Sequence, residues 1–124
     1  MRKFHATAVE VYTEDDVLTV HFDDEGEHYL QLQSPEADDP DEHEAGFGGV
    51  YVEIDSQINS GLNCFSHAEL DRRTFRLVLA RDKNMVEIAE VEVTFDVDDE
   101  AFAELRRGLT RAFRSFPGFR ATDA

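Results

Sequence analysis

Apolar and polar residues alternate along most of this chain. A side-chain period of two belongs to β-strands that bury one face. In FHATAVEVY (4–12), Thr7, Val9 and Val11 share one face, and Phe4, Ala6, Ala8, Glu10 and Tyr12 share the other. VLTVHF (17–22) puts Leu18, Val20 and Phe22 together, and TEDD (13–16) between these two segments reads as a hairpin turn. After the turn DDEGE (23–27), HYLQLQ (28–33) alternates Leu30 and Leu32 with Tyr29, Gln31 and Gln33. The three segments predict a meander. VYVEI (50–54) turns Val50, Val52 and Ile54 inward and Tyr51 and Glu53 outward. CFSHAEL (64–70) and TFRLVLA (74–80) predict a hairpin around Asp71-Arg72-Arg73. In VEIAEVEVTFDV (86–97), Ala89, Val91, Val93, Phe95 and Val97 share a face.

Near the C-terminus the period changes. Phe102, Leu105, Leu109, Phe113 and Phe116 recur at helical spacing and form one apolar stripe. Asp96 or Asp98 is placed to cap the helix, with Asp99 and Glu100 in its first turn, where the helix dipole favours anions. Arg106, Arg107, Arg111 and Arg114 crowd its second half, and Pro117-Gly118 is expected to stop it. The stripe needs an apolar surface to cover, and the inward faces of the strands supply one. The expectation is an α+β fold: an antiparallel, meander-type sheet of about six to seven strands with one C-terminal helix on one face. The 124 residues suit a single domain, 1–124, with a mobile acidic loop at 34–49 and a short flexible tail at 117–124.

Charge narrows the function. The net charge is −16, and it is uneven: residues 1–60 hold sixteen acids against only Arg2 and Lys3. Such a chain repels nucleic acid and anionic membranes and attracts basic partners in a salt-dependent way. The single cysteine, Cys64, excludes an intramolecular disulfide and favours a reducing compartment. With neither an apolar leader nor a long apolar run, a cytoplasmic location is expected.

Catalytic signals are weak. The five histidines and Cys64 show no HExxH or CxxC spacing, and Cys64 and His67, three apart in a strand, fall on opposite faces. There is no GxSxG. Gly46-Phe47-Gly48-Gly49 precedes a strand rather than a helix and lacks the lysine of a phosphate loop. No acid pair stands out among so many. The chain is read as a non-enzyme without cofactor or metal.

The run VYVEIDSQINSGLNCFSHAELDRRTFRLVL (50–79) resembles the signature region of the Imm10 family, immunity proteins of bacterial polymorphic toxin systems. In that pattern an aromatic-x-Glu strand leads to a polar loop with Gln and a Ser-Gly turn, and Tyr51, Glu53, Gln57, Ser60 and Gly61 match it. The weaker similarity extends over an N-terminal meander and the acidic-start helix, so most of the chain is covered. The acidic loop 34–46 and Asn63-Cys64-Phe65 depart from the pattern. The resemblance implies stoichiometric, non-catalytic binding of a cognate toxin domain, and the acidic charge suits a basic one. The expected contact residues are Tyr51, Glu53, Asp55, Gln57 and Asn59, with Phe47 and the loop acids Asp38, Asp39, Asp41, Glu42 and Glu44. Two readings of Asp55, Gln57 and Asn59 stay open: turn formers that satisfy backbone groups, or part of an exposed polar-aromatic strip. Phe47 is either an interface anchor or a core residue. The alternative function is a general acidic interaction module, a nucleic-acid mimic or an accessory subunit. Homo-oligomerisation through strand edges also stays open.

Overall fold

The computed structural model describes residues 2–35, 50–62, 65–79, 90–114, 116 and 118–122, apart from the side chains of 56–59 and 62. Along the chain these form β1 (Arg2–Ala6), β2 (Ala8–Glu14), β3 (Val17–Asp23), β4 (Tyr29–Pro35), β5 (Tyr51–Ile54), β6 (Ser56–Leu62), β7 (Phe65–Leu70), β8 (Thr74–Leu79), β9 (Glu90–Phe95), α1 (Asp99–Ala112) and β10 (Phe119–Ala121). The α+β class is the one the periodicities predict.

The expected single sheet is two. One is a five-stranded meander in the order β2-β3-β4-β5-β6, antiparallel throughout. The other has the order β1-β9-β8-β7-β10, with β1 parallel to β9 and β10 parallel to β7 at its edges. Alternation reveals that a strand has a buried face but not which sheet it joins. The run 4–12, expected to be one strand, is broken at Thr7. Phe4 and Ala6 are buried in one sheet, while Val9 and Val11 pack against the core from the other. As one continuous strand those two apolar pairs would point in opposite directions. Breaking the strand lets both face inward, and the Thr7 N–H is satisfied by the Asp23 carbonyl at 2.9 Å.

The sheets pack on one another through aromatics. Phe22 of β3 stacks on Phe75 of β8 at 5.5 Å and lies 6.1 Å from Phe95 of β9, and all three are essentially buried. Burying one such side chain contributes on the order of 1.5–3 kcal/mol.

Helix α1 starts at Asp98, not Asp96: the Asp98 carboxylate accepts the Ala101 N–H at 2.8 Å. Phe102, Leu105 and Leu109 are buried as expected. The helix ends at Ala112, before Pro117-Gly118, because Phe113 turns into an aromatic cluster with Phe65, Phe75 and Phe119. Gly108 marks the closest approach of α1 to the meander: a Cβ there would sit 2.7 Å from Val11 Cγ1. That contact accounts for a residue that costs a helix about 1 kcal/mol relative to alanine. The expected flexible tail is corrected in part: residues 119–121 form β10 beside β7, and the Thr122 N–H donates to the Leu70 carbonyl at 2.8 Å.

The stretch 55–61, expected to be a loop, is mostly strand β6. Asp55 alone turns the chain, at φ 63°, a conformation that short polar side chains tolerate. The register shifts between Glu53 and Ile54, so Ile54 pairs with Ser56 and Glu53 with Ser60. The intervening residues 57–59 are accommodated as an irregularity in the ladder. The acidic loop lies outside the described residues beyond Pro35, whose carbonyl accepts from Arg114 at 2.8 Å.

Candidate functional site

The meander turns one face to α1 and the other sheet, and its second face away from them. Strand register sets what that second face carries. Glu10, His21, Gln31, Glu53 and Ser60 lie side by side across all five strands. Tyr12, Thr19, Gln33 and Tyr51 form the neighbouring row. Tyr12 is 41% exposed, a large side chain left open to solvent.

Glu53 is the centre of this face. Alternation directs it away from Val52 and Ile54, as expected, yet it is only 9% exposed, which corrects the expectation of an exposed strip at this position. The cover comes in part from two tyrosines. The Tyr29 hydroxyl donates to Oε2 and the Tyr51 hydroxyl to Oε1 at 2.9 Å, so each carboxylate oxygen receives one phenolic hydrogen bond. Burial, and then the hydrogen bond to Glu53, push the Tyr29 hydroxyl well above its ordinary value of 10. The His21 ring stacks on Tyr29 at 5.6 Å. Its nitrogens lie 3.0 Å from Gln31 Oε1 and 3.1 Å from Asp23 Oδ2. The hydrogen bond from His21, followed by that from the Glu25 backbone N–H, holds the Asp23 carboxyl below its ordinary range.

Asp55 sits at the end of the same face as a tie point. Its Oδ1 accepts the Tyr29 N–H at 3.0 Å, and its Oδ2 lies 3.2 Å from His28 Nδ1. The Asp55 N–H in turn donates to the Tyr29 carbonyl. Arg2 Nε approaches Oδ2 to 2.8 Å, an ion pair without the alignment of a hydrogen bond. These contacts tie the Asp55 turn to β1 and to the start of β4. The acids of the β2–β3 hairpin extend the charge: Asp15 and Asp16 both take positive φ, the two-residue turn that suits the twist of the strands.

The sheet's electrostatics follow from one property of the chain. Between Lys3 and Arg72 there is no lysine or arginine, and that interval contains all of β2 to β6. The outer face of the second sheet is built differently. There Lys3, Glu92, Arg76, Glu69 and Arg120 alternate in sign across its five strands.

Of the expected contact residues, the structure brings Tyr51, Glu53 and Asp55 together. Phe47, Asp38, Asp39, Asp41, Glu42 and Glu44 lie outside the described residues, as do the side chains of Gln57 and Asn59. His21, Tyr29, Gln31 and Tyr12 belong to the face but were not among the residues expected. Their outward positions in the alternating segments, combined with the basic-free interval, were the available signal.

Among the described residues no group of three or more His, Cys, Asp or Glu is arranged to hold a metal ion. No helix among them is long and apolar enough to cross a membrane. An open groove of about 770 Å³ runs between α1 and the β2–β3 hairpin, past Val11, Leu18, Arg107, Gly108 and Arg111. It lies on the inner side of the meander, away from the Glu53 face.

Fold and face together define a small α+β protein that presents an acid-bearing polar sheet surface. A family model described as Immunity protein 10 matches residues 5–103, and the chain belongs to that family. No curated protein and no solved structure gives a significant match.

Proposed function

We propose that this chain neutralises a bacterial toxin domain by stoichiometric, non-catalytic binding in the cytoplasm. On this reading the outer face of β2–β6 meets a basic surface of the toxin. The observation that carries it is the interval from residue 4 to 71 without lysine or arginine, which contains every strand of the β2–β6 sheet, in a member of an immunity-protein family. A surface of one sign steers an oppositely charged partner and raises its association rate, an advantage against a toxin that acts at low copy number. The acids of 36–44 add to the same field through their charge, so replacing four or more with Ser or Asn slows association and leaves thermal stability nearly unchanged.

The test is co-expression with the toxin domain encoded beside the gene, scored by surviving colonies, together with the mass of the purified complex. Rescue with a one-to-one complex supports the reading. A soluble protein that fails to rescue against a verified active toxin overturns it. Weak, strongly salt-sensitive binding to many basic proteins would instead favour a general acidic interaction module.

A further inference from the structure

We propose that Glu53, held between Tyr29 and Tyr51, is the receptor for an arginine side chain of the partner protein. The inference rests on the reading that the Glu53 face is the docking surface, and it names the residue that sets specificity there.

A carboxylate that is nine-tenths buried is usually matched by a cation, because water no longer solvates it. Among the described residues Glu53 is matched by two neutral hydroxyls, and no cation pairs with it. Its cross-strand neighbours are Gln31 and Ser60. The carboxylates at equivalent central positions on the other sheet, Glu92 and Glu69, both stand beside Arg76. A network serving only to stiffen the sheet could use a neutral glutamine at 53. The two hydroxyls donate hydrogen bonds to Glu53 but bring no positive charge to it.

The unused capacity has a shape. An ionised carboxylate offers about four acceptor sites, and the tyrosines occupy one on each oxygen. What remains, one site per oxygen, suits the paired N–H groups of a guanidinium. Beside two phenols a weakly hydrated, planar guanidinium is favoured over a strongly hydrated ammonium. Docking also excludes water, which strengthens the pair formed.

The probe is Nα-acetyl-arginine-N-methylamide, titrated at low salt into isotopically labelled protein and compared with the lysine analogue. Resonance changes should centre on Tyr29, Tyr51 and Glu53, with the arginine compound bound several-fold more tightly. Glu53→Gln should weaken arginine binding at least about tenfold, as expected for loss of a charge-assisted bidentate pair. Tyr51→Phe, which keeps the charge, should retain most of it. Changes spread over Glu14, Asp15 and Asp16 without arginine preference would overturn the proposal, and the wild-type map decides this even if Glu53→Gln fails to fold. In the toxin assay, rescue by wild type and equal rescue with unchanged affinity by folded Glu53→Gln would remove the arginine receptor and leave the immunity reading standing. Failure of wild type to rescue removes that reading, while the arginine titration still reports on Glu53 and its two tyrosines.

Discussion

The two sheets handle their outer faces in opposite ways. On β1-β9-β8-β7-β10 the central row alternates Lys3, Glu92, Arg76, Glu69 and Arg120, so every charge has an opposite neighbour. Lys3 reaches Glu92 at 3.0 Å, and Arg76 pairs with Glu90. On the meander the matching row is Glu10, His21, Gln31, Glu53 and Ser60, with no lysine or arginine. Opposite charges across strands each contribute a few tenths to about 1 kcal/mol, so the first arrangement serves folding. The second forgoes that gain and satisfies its central carboxylate with hydroxyls. On the proposed function, a basic partner completes this row, which has no lysine or arginine of its own.

Breaking the link between the sheets should have the largest effect. Phe22 is the ring through which the meander touches both Phe75 and Phe95. Phe22→Ala should cost about 3–5 kcal/mol in denaturant unfolding. Amide exchange should accelerate in β8 and β9 as well as in β3. Protection unchanged in β8 and β9 would mean that the sheets unfold independently, and that their faces differ for unrelated reasons.

Asp55 gives the next effect, and it separates turn formation from contact. Asp55→Ala removes the acceptor of the Tyr29 N–H and places a residue that resists positive φ at 63°. The expected loss is about 1–3 kcal/mol. Asp55→Asn, which tolerates that φ and keeps an amide oxygen for Tyr29, should lose clearly less. If both leave stability intact yet weaken toxin binding, Asp55 is a contact residue after all.

Tyr29 sharpens the comparison through pH. Its folded-state hydroxyl is raised above the ordinary value of 10, so the unfolded chain releases this proton first. The stability it contributes is therefore fully present below pH 10 and declines as pH rises beyond it, with a dependence of up to about one proton. Tyr29→Phe should flatten this alkaline limb in denaturation series across that range. An identical slope in wild type and variant would show that burial and the Glu53 hydrogen bond do not hold the phenol in its protonated form.

How much of this was legible in the sequence depends on what alternation encodes. It identified the buried faces of the strands from Leu18, Val20, Phe22, Leu30 and Leu32, and the helix from Phe102, Leu105 and Leu109. It could not assign strands to sheets, so the break at Thr7 and the parallel edges β1 and β10 were missed. Ser56–Leu62 looked like a loop because Ser, Gln, Asn and Gly dominate it, yet the ladder with β5 overrides those weak preferences. Glu53 was correctly directed outward, but outward is not exposed: Tyr29, distant in sequence, closes over it. The Imm10 resemblance was readable because its motif, Tyr51, Glu53, Gln57, Ser60 and Gly61, is local.

The smallest effect comes from undoing the compensated row. Lys3 is 65% exposed and Arg76 about half exposed, so solvent screens both pairs, and Lys3→Gln or Arg76→Gln should leave the unfolding midpoint almost unchanged. Changing both, with Arg120→Gln, would make the second sheet's outer face as free of basic side chains along this row as the meander's. If uncompensated charge alone makes a docking surface, the triple variant should gain a second site for the toxin. If the Tyr29–Glu53–Tyr51 frame is what recognises the partner, the variant should associate only slightly faster, through its larger negative charge, and dissociate at the wild-type rate. Stopped-flow association at two salt concentrations, with a measured stoichiometry, separates these outcomes; a stoichiometry that stays at one to one places recognition in the frame rather than in the charge.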